Sequence, residues 1–365
     1  MAGNHVEVGQ KRVAIPKLMA PINSFRGGVK VVDAGADEVY CAVQIPEIKN
    51  FILYRGQSSE VSNYDELGKI VTYAHSHGVK VPLVVNWPYM IDRIEKPIKK
   101  HLNQCVAKDV DALIIGDFGV LSIAKDMNLD IPLYASTYMI SMNSATVSFL
   151  ENLGFTRVIL ERQLRLSEIS NIVRHSNIEI EVLIHGGGCS NINGSCHLYH
   201  YHYYYNIEKL RRAMKKSLAG TPCTLKFDLY NLRAANEKYE NVPVMDAFEY
   251  CCVCKLPELI KTSVNSLKIE GRTTTVWYQV ATTRVYRELL DLLSKRRMKE
   301  FNKKIHEIKQ GSPFFFPTPK NYWSQEELLC SHRRCYFGSF THAPYKLPLS
   351  WQTWTKHRFK FVVQP

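Results

Sequence analysis

"NYDELGKIVTYAHSHGVKVPLVVN", residues 63–86, contains a complete helical pattern followed by a strand pattern. Four apolar residues recur at the spacing of one helical face, namely Leu67, Ile70, Val71 and Ala74. Asn63 and Glu66 have the spacing of a capping box, and Gly78 is placed to end the helix. The apolar run 79–86 then has the length and composition of a buried strand. The stretch predicts one helix that covers a sheet and one strand inside that sheet.

The same alternation of strand and helix recurs along most of the chain. Short apolar runs, separated by helical patterns, occupy residues 13–21, 37–43, 79–86, 111–116, 131–136, 157–161, 178–186 and 266–271. Strands that alternate with helices form parallel sheets with both faces covered. Eight such units that close on themselves make a barrel. We therefore predict an α/β protein with a (β/α)8 TIM-type barrel.

The regular pattern ends after Leu293. Residues 311–323 read GSPFFFPTPKNYW, and this segment is too rich in proline and aromatic residues to form a regular helix. We place a domain boundary near residue 295. The prediction is a barrel domain over residues 1–295, which carries the clustered cysteines, and a small C-terminal extension over residues 296–365.

Composition bounds the class of protein. The chain has 365 residues, of which 45% are hydrophobic and 22% charged, as in ordinary globular proteins. The first residues show no signal-peptide core, and no apolar stretch reaches the roughly 18 residues that a membrane span needs. We expect a soluble, cytoplasmic protein without a membrane span.

The chain has a formal net charge of +13, and its basic residues cluster at 209–216 and 294–304. Such a charge attracts polyanions, so RNA and acidic small molecules are both candidate substrates. Solvated helix faces would explain the same clusters without any ligand. Charge alone does not choose between these interpretations.

Polar residues follow the predicted strands, where the active sites of barrel enzymes lie. They are Asn86 after the third strand, Ser136 and Thr137 after the fifth, Glu161 and Arg162 after the sixth, His185, Cys189 and Cys196 after the seventh, and Glu270 and Arg272 after the eighth. Each one alone has a simpler explanation as an ordinary loop residue. Their recurrence at several strand ends predicts one polar site at the mouth of the barrel.

The cysteines are unevenly distributed. The chain has 10 of them, and six fall in one third of its length: Cys189, Cys196, Cys223, Cys251, Cys252 and Cys254. The spacing is C-x6-C-x26-C-x27-C if Cys251 is the fourth member, which matches neither a zinc finger nor a ferredoxin. Four thiolates from separate loops suit a 4Fe-4S cluster or a zinc ion. Glycines 186–188 would let the backbone approach such a group closely.

The stretch HGGGCSNINGSC, residues 185–196, resembles the His-Gly-x-x-Cys and Gly-x-Cys signature of the peptidase U32 family. Further segments agree with that family in the same order: GADEVYCAV (35–43), HSHGVKVPLVVN (75–86), LYASTYMISMN (133–143), RVILERQLRLSEI (157–169), TPCTLKFDLY (221–230), LPELIKTSVNSLKIEGR (256–272) and SHRRCYFGSF (331–340). Each match is weak, but together they span more than 300 residues.

This resemblance implies a barrel that holds an oxygen-sensitive 4Fe-4S cluster on four cysteines. It also implies hydroxylation without O2 of RNA bases or of a quinone precursor, with prephenate as the oxygen donor. By position, the cluster ligands are Cys189, Cys196, Cys223 and Cys251. The chain departs from the family in having CCVC at residues 251–254, so Cys252 or Cys254 is an alternative fourth ligand.

Three arginines are candidate substrate ligands. Arg55, Arg162 and Arg272 would bind a dicarboxylate such as prephenate, because guanidinium groups pair with carboxylates in bidentate geometry. Salt bridges to Glu161 and Glu270 would explain the arginines equally well. Glu270 and His185 are the candidates for proton transfer.

The aromatic segment HLYHYHYYYNIEKLRRAMKKSLAG, residues 197–220, has two interpretations. It forms a lid that excludes water from the cluster, or its rings stack on exposed bases. The predicted partners are accordingly a small-molecule or RNA substrate and a second U32-type subunit or electron donor. Two other functions stay open, a non-catalytic RNA-binding or partner subunit and a true peptidase.

Overall fold

The computed structural model describes residues 5–8, 11–48, 60–86, 91–189, 191–196, 227–231, 238–242, 249–309, 336–337 and 359–363. Several predictions fall outside these residues. They concern Arg55, Cys223, the aromatic segment 197–220 and the segment 311–323.

The helix predicted in the opening stretch is present as α2, Tyr64–Ser76. All four residues of its apolar face are buried, as predicted. The Asn63 side chain accepts a hydrogen bond from the Glu66 N–H at 2.9 Å. The Glu66 carboxylate instead accepts from the N–H groups of Phe25 and Ser62, so only half of the predicted capping box forms. Gly78 has φ +70°, the left-handed conformation that ends a helix.

Eight parallel strands form the barrel, in agreement with the prediction. They are β3 (Lys17–Pro21), β4 (Glu38–Tyr40), β5 (Pro82–Val85), β6 (Ala112–Ile115), β7 (Leu133–Ala135), β8 (Arg157–Ile159), β9 (Glu179–Gly187) and β13 (Ser266–Ile269). They are hydrogen-bonded in the order β4-β3-β13-β9-β8-β7-β6-β5. Parallel bridges from Glu38 to Lys80 and from Cys41 to Leu83 join the two end strands, β4 and β5, and so close the barrel.

Helices cover the outside of the barrel. Besides α2 they are α1 (Phe25–Asp33), α3 (Glu95–Val106), α4 (Phe118–Asp126), α5 (Ser144–Asn152), α6 (Leu166–Arg174), α7 (Leu256–Ile260), α8 (Val276–Ser294) and α9 (Met298–Lys309). Each strand runs toward the mouth and the next helix returns, so the helices that follow strands begin beside the mouth. No described helix combines the length and apolarity needed to cross a bilayer.

The remaining described strands lie outside the parallel barrel. An N-terminal hairpin pairs β1 (His5–Val8) with β2 (Lys11–Ala14). A second sheet has the order β11 (Lys238–Val242), β10 (Phe227–Asn231) and β14 (Phe359–Val363). The short strand β12 (Glu249–Cys251) pairs antiparallel with the end of β9.

Two observations bear on residues 296–365. Helix α9 buries Phe301, Ile305 and Ile308 in the same core as α8. Strand β14, near the C-terminus, pairs with β10, so the second sheet combines segments from both sides of the predicted boundary. The boundary near residue 295 stays a prediction.

The interior of the barrel carries a buried charge cluster. Arg157 has no exposed surface. Its Nη2 lies 2.9 Å from Glu38 Oε1, its Nη1 lies 2.9 Å from Glu181, and its Nε lies 2.7 Å from Glu179. The Lys268 ammonium lies 3.0 Å from the second oxygen of Glu181. Opposite charges therefore satisfy one another where hydrophobic residues usually fill a barrel.

One buried histidine on the outer layer makes stability depend on pH. His101 in α3 lies 2.9 Å from the Tyr64 hydroxyl, and burial lowers its pKa to about 3. The unfolded chain binds a proton near the ordinary pKa of about 6.5, so stability is lost as the pH falls from there toward 3, by about 1.4 kcal/mol per pH unit. We expect His101→Gln to reduce the acid slope by about this amount in urea titrations at successive pH values. An unchanged slope would contradict the prediction.

Candidate active site at the barrel mouth

A polar cavity lies at the carboxyl ends of the barrel strands and is open to solvent at its mouth. Inward-facing residues of four alternate strands, Tyr40, Ile114, Ile159 and Lys268, contribute to its floor. The wall carries polar residues from the loops after the strands: Glu60, Asn86, Ser136, Thr137, Tyr138, Arg162, Asn193, Glu270 and Arg272. A cavity with an apolar base and converging polar groups is typical of small-ligand sites.

Six residues predicted from the sequence line this cavity: Asn86, Ser136, Thr137, Arg162, Glu270 and Arg272. Glu161, also predicted, is buried beside the cavity and does not line it. Its two carboxylate oxygens accept hydrogen bonds from the backbone N–H and the side-chain amide of Asn193, each at 2.9 Å. The substrate-binding role of Asn86, Ser136, Glu161, Arg162 and Arg272 and the proton-transfer role of Glu270 stay predictions.

Three side chains on the cavity wall have buried polar atoms without a hydrogen-bond partner among the described residues. The atoms are Asn86 Oδ1, Arg162 Nε and Arg272 Nη1. Because such groups are costly to bury unpaired, each one needs an explanation. A polar ligand with acceptors for the two guanidinium groups and a donor for the Asn86 oxygen would satisfy all three. Gly116 makes room for the Asn86 amide, since a Cβ there would lie 1.9 Å from Asn86 Oδ1.

Arg162 connects the cavity to the loop that carries the first two cysteines. Its Nη2 donates to Asn193 Oδ1 at 2.7 Å, and its Nη1 lies 3.7 Å from Glu270. Burial opposes its charge, but Glu270, Glu161 and Cys189 are among the groups that raise its pKa above the ordinary value. The guanidinium therefore stays charged, with acidic groups of the cavity and the thiol of Cys189 around it.

The cysteine loop is held by the loop after β8. Gln163 Nε2 donates to the carbonyl oxygens of Cys189 and Asn191 at 3.2 and 2.8 Å. The Asn191 N–H points to the Cys189 sulfur at 3.4 Å, and its side-chain amide lies 3.6 Å from the Cys196 sulfur. Both thiols therefore share one asparagine as hydrogen-bond donor, the type of contact that stabilises a thiolate or a metal-bound sulfur.

The three glycines before Cys189 allow close packing against protein groups. Gly186 has φ +114°, and a Cβ there would lie 2.6 Å from the Glu270 Cβ. A Cβ on Gly188 would lie 1.9 Å from the Tyr250 ring. The strand continues through Gly187. Gly186 and Gly188 approach Glu270 and Tyr250 closely, and their approach to a cluster stays a prediction.

His185 is buried and does not line the cavity. A β-bulge at Ile184 shifts the register between β9 and β13, and His185 lies against α8. Its Nε2 is 2.8 Å from the Tyr278 hydroxyl, and its Nδ1 is 3.3 Å from the Tyr286 hydroxyl. Burial lowers its pKa to about 3, so the imidazole is neutral at physiological pH. Its predicted role in proton transfer stays a prediction, and Glu270 is the better placed candidate.

The third and fourth predicted metal ligands are less closely defined. Cys251 lies on β12, opposite His185 of β9, and is buried together with Cys252, whereas Cys254 is half-buried. Cys223 is outside the described residues. Within the described part of the chain, no three His, Cys, Asp or Glu side chains form a group arranged to hold a metal ion. The four-cysteine ligand set stays a prediction, supported by the shared donor at Cys189 and Cys196.

Lys268 lines the cavity but was not among the site residues predicted from the sequence. Its ammonium lies 4.0 Å from the centre of the Tyr40 ring and is paired with Glu181. Burial lowers the pKa of Lys268, and the negative charge of Glu181 opposes this shift without cancelling it. The signal was present in the sequence, because the strand alternation places Lys268 on the same side as Glu270.

One protein-family profile matches most of the chain. The profile of peptidase family U32 matches residues 23–324. An uncharacterized protease of Methanocaldococcus jannaschii is 27% identical over 331 residues, which cover 86% of this chain and 76% of that protein. A solved structure of a U32 peptidase has a TM-score of 0.44 and 12% identity, and the match covers 74% of this chain and 99% of that one.

Two further relatives are named for RNA modification. The tRNA hydroxylation protein P of Escherichia coli is 28% identical over 325 residues, which cover 76% of this chain and 68% of that protein. The 23S rRNA 5-hydroxycytidine C2501 synthase of Escherichia coli is 29% identical over 284 residues. That match covers 77% of this chain but only 40% of the synthase.

Proposed function

Because the chain belongs to peptidase family U32, with its profile matched over residues 23–324, we propose that it hydroxylates an RNA base without O2. The proposed cofactor is a 4Fe-4S cluster on Cys189, Cys196, Cys223 and Cys251. The proposed oxygen donor is prephenate, which would pass one oxygen atom to a C–H position of the base and leave with one oxygen atom fewer. The names of the relatives in Escherichia coli support RNA as the substrate. The position of Arg162, between the cavity and the cysteine loop, carries the proposal.

The chemistry of the donor groups fits an iron–sulfur cluster. Cys189 and Cys196 receive N–H groups of Asn191 at their sulfurs, and the charged Arg162 lies near Cys189. Positive charge and N–H donors both favour thiolates, the form that binds iron. A bound cluster would supply one-electron redox chemistry beside the cavity.

The cavity residues would bind and orient the two reactants. Arg162 and Arg272 have buried donor atoms that no described residue engages, and these would bind an anionic oxygen donor such as prephenate. Tyr138 lines the cavity and would stack on a base. Glu270 faces the cavity and contacts Arg162, so it is placed to accept or return a proton.

Lys268 would donate a hydrogen bond to an oxygen of the reactant from the cavity floor. We expect Lys268→Met to lower kcat/KM by about 10- to 100-fold, the range for losing one charge-assisted hydrogen bond. Lys261, an exposed lysine before the same strand, is the matched control, and Lys261→Met should react like the wild type. Equal rates for the two variants would remove Lys268 from the site.

A peptidase reaction has less support. Both ring nitrogens of His185 lie within hydrogen-bonding distance of tyrosine hydroxyls, and its burial keeps the imidazole neutral. The Cys189 sulfur accepts from the Asn191 N–H. A Cys/His pair for proteolysis would need both side chains to change partners.

The test is an anaerobic assay on the reconstituted protein with reductant, prephenate and unmodified tRNA or rRNA transcripts. Mass spectrometry of the digested RNA should detect nucleosides that have gained one oxygen atom, and omission of prephenate should abolish the product. Iron-loaded protein that leaves all RNA unchanged would overturn the proposal. RNA binding without turnover would favour the non-catalytic alternative, and hydroxylation of a free small molecule would replace the substrate.

A further inference from the structure

Two large aromatic side chains are exposed beside the mouth of the barrel. Phe25, in the first turn of α1, is 36% exposed, and Trp277, in the first turn of α8, is 53% exposed. Arg26, next to Phe25, is also exposed. These helices follow β3 and β13 and therefore begin on the face that carries the cavity. We call Phe25, Arg26 and Trp277 the rim platform.

The two first turns pack directly against each other. A Cβ on Gly27 would lie 3.3 Å from Val276 Cγ2, so the absence of a side chain lets the helices approach. The Asn23 amide donates to the carbonyl oxygens of Arg272 and Thr274 at 3.0 and 3.3 Å, which fixes the loop between β13 and α8. Because Arg272 lines the cavity, the rim platform adjoins the cavity wall.

The chemistry of this surface fits single-stranded RNA. Tryptophan and phenylalanine faces stack on nucleobases of any sequence, and a guanidinium adds attraction to phosphate. The nearby Glu66 carboxylate is engaged by N–H groups of Phe25 and Ser62 and by the Ser62 hydroxyl. The net charge of +13 favours a polyanion over an acidic or apolar protein partner.

We propose that the rim platform stacks the nucleotides that flank the target base of a single-stranded RNA segment, while that base enters the cavity. This inference rests on the proposed function, because it assumes an RNA substrate. It assigns α1 and α8 a role in holding RNA that is separate from the chemistry.

The test measures the affinity of the full chain for a fluorescein-labelled single-stranded RNA oligonucleotide, without turnover. We expect Trp277→Ala and Phe25→Ala each to weaken binding about 10-fold, since one base stack contributes about 1–3 kcal/mol. The matched control is Phe149→Ala, which removes a ring that is 55% exposed on α5, on the opposite side of the barrel. Arg26→Gln should reduce the salt dependence of binding by about one phosphate contact.

A conservative variant separates stacking from folding. We expect RNA to quench part of the tryptophan fluorescence of the wild type. Trp277→Phe should keep most of the affinity but lose the share of that quenching that Trp277 contributes. Equal affinities for Trp277→Ala, Phe149→Ala and the wild type would overturn the rim platform, whatever the hydroxylation assay gives. Absence of RNA binding by the wild type at low salt would also overturn it. A selective loss in the platform variants would support it even if no hydroxylated nucleoside is found.

Discussion

Replacement of Arg157 by methionine is expected to destabilise the barrel by about 3–5 kcal/mol, the range for breaking a buried ion pair on one side. Arg157 is fully buried, and its guanidinium contacts the carboxylates of Glu38, Glu179 and Glu181. Burial alone would raise the pKa of Glu181, but Lys268 and Arg157 hold it below the ordinary value. Without Arg157, the buried carboxylates have too little positive charge nearby to balance them.

Urea denaturation at several pH values measures this effect and its sign. In Arg157→Met, an orphaned carboxyl should have a folded-state pKa above its unfolded value. Its contribution to stability is then present at low pH and lost as the pH rises through the folded-state pKa, so the variant should gain stability on mild acidification. Arg174→Met, at an exposed position on α6, should change stability by less than about 0.5 kcal/mol. A loss below 1 kcal/mol in Arg157→Met would show that the cluster is dispensable.

Loss of the cofactor is expected when either cysteine of the loop after β9 is changed. Cys189→Ser and Cys196→Ser each remove a sulfur that receives a donor from Asn191. After anaerobic reconstitution, the wild type should be brown and hold about four irons per chain, as a 4Fe-4S cluster requires. Both variants should lose most of the iron, the visible absorption and the electron paramagnetic resonance signal of the reduced cluster.

Cys105→Ala is the matched control for this experiment. Cys105 is buried in α3 with its sulfur 3.6 Å from the His101 ring, in the outer layer. Its loss should leave the iron content unchanged. A colourless wild type with one zinc ion would refute the cluster, and so would full iron content in Cys189→Ser.

The fourth ligand is decided by the same measurement on Cys251→Ala, Cys252→Ala and Cys254→Ala. We expect Cys251→Ala to lose iron, because Cys251 matches the family position and lies on β12, which pairs with the end of β9. If only Cys252→Ala or Cys254→Ala loses iron, the ligand set shifts by one or three residues. Circular dichroism of each variant distinguishes loss of iron from loss of fold.

Local sequence patterns were sufficient to identify the barrel. The apolar runs and the helical face at Leu67, Ile70, Val71 and Ala74 are determined by residues close together in the chain, and all eight predicted strands are present. Cavity residues such as Asn86 and Arg272 were also recognisable, because a residue that follows a parallel strand lies at the mouth wherever the strand sits in the barrel.

Three-dimensional packing decided the rest, since it depends on contacts between residues far apart in the chain. The β-bulge at Ile184 turns His185 toward α8, although strand alternation from Leu183 would direct it into the barrel. Lys268 is retained on the cavity floor by Glu181, 87 residues away. Arg162 reaches both Glu270 and Asn193 only because their loops converge at the mouth. Periodicity specifies which face of a strand is buried, whereas the partners on that face are specified by the closed barrel.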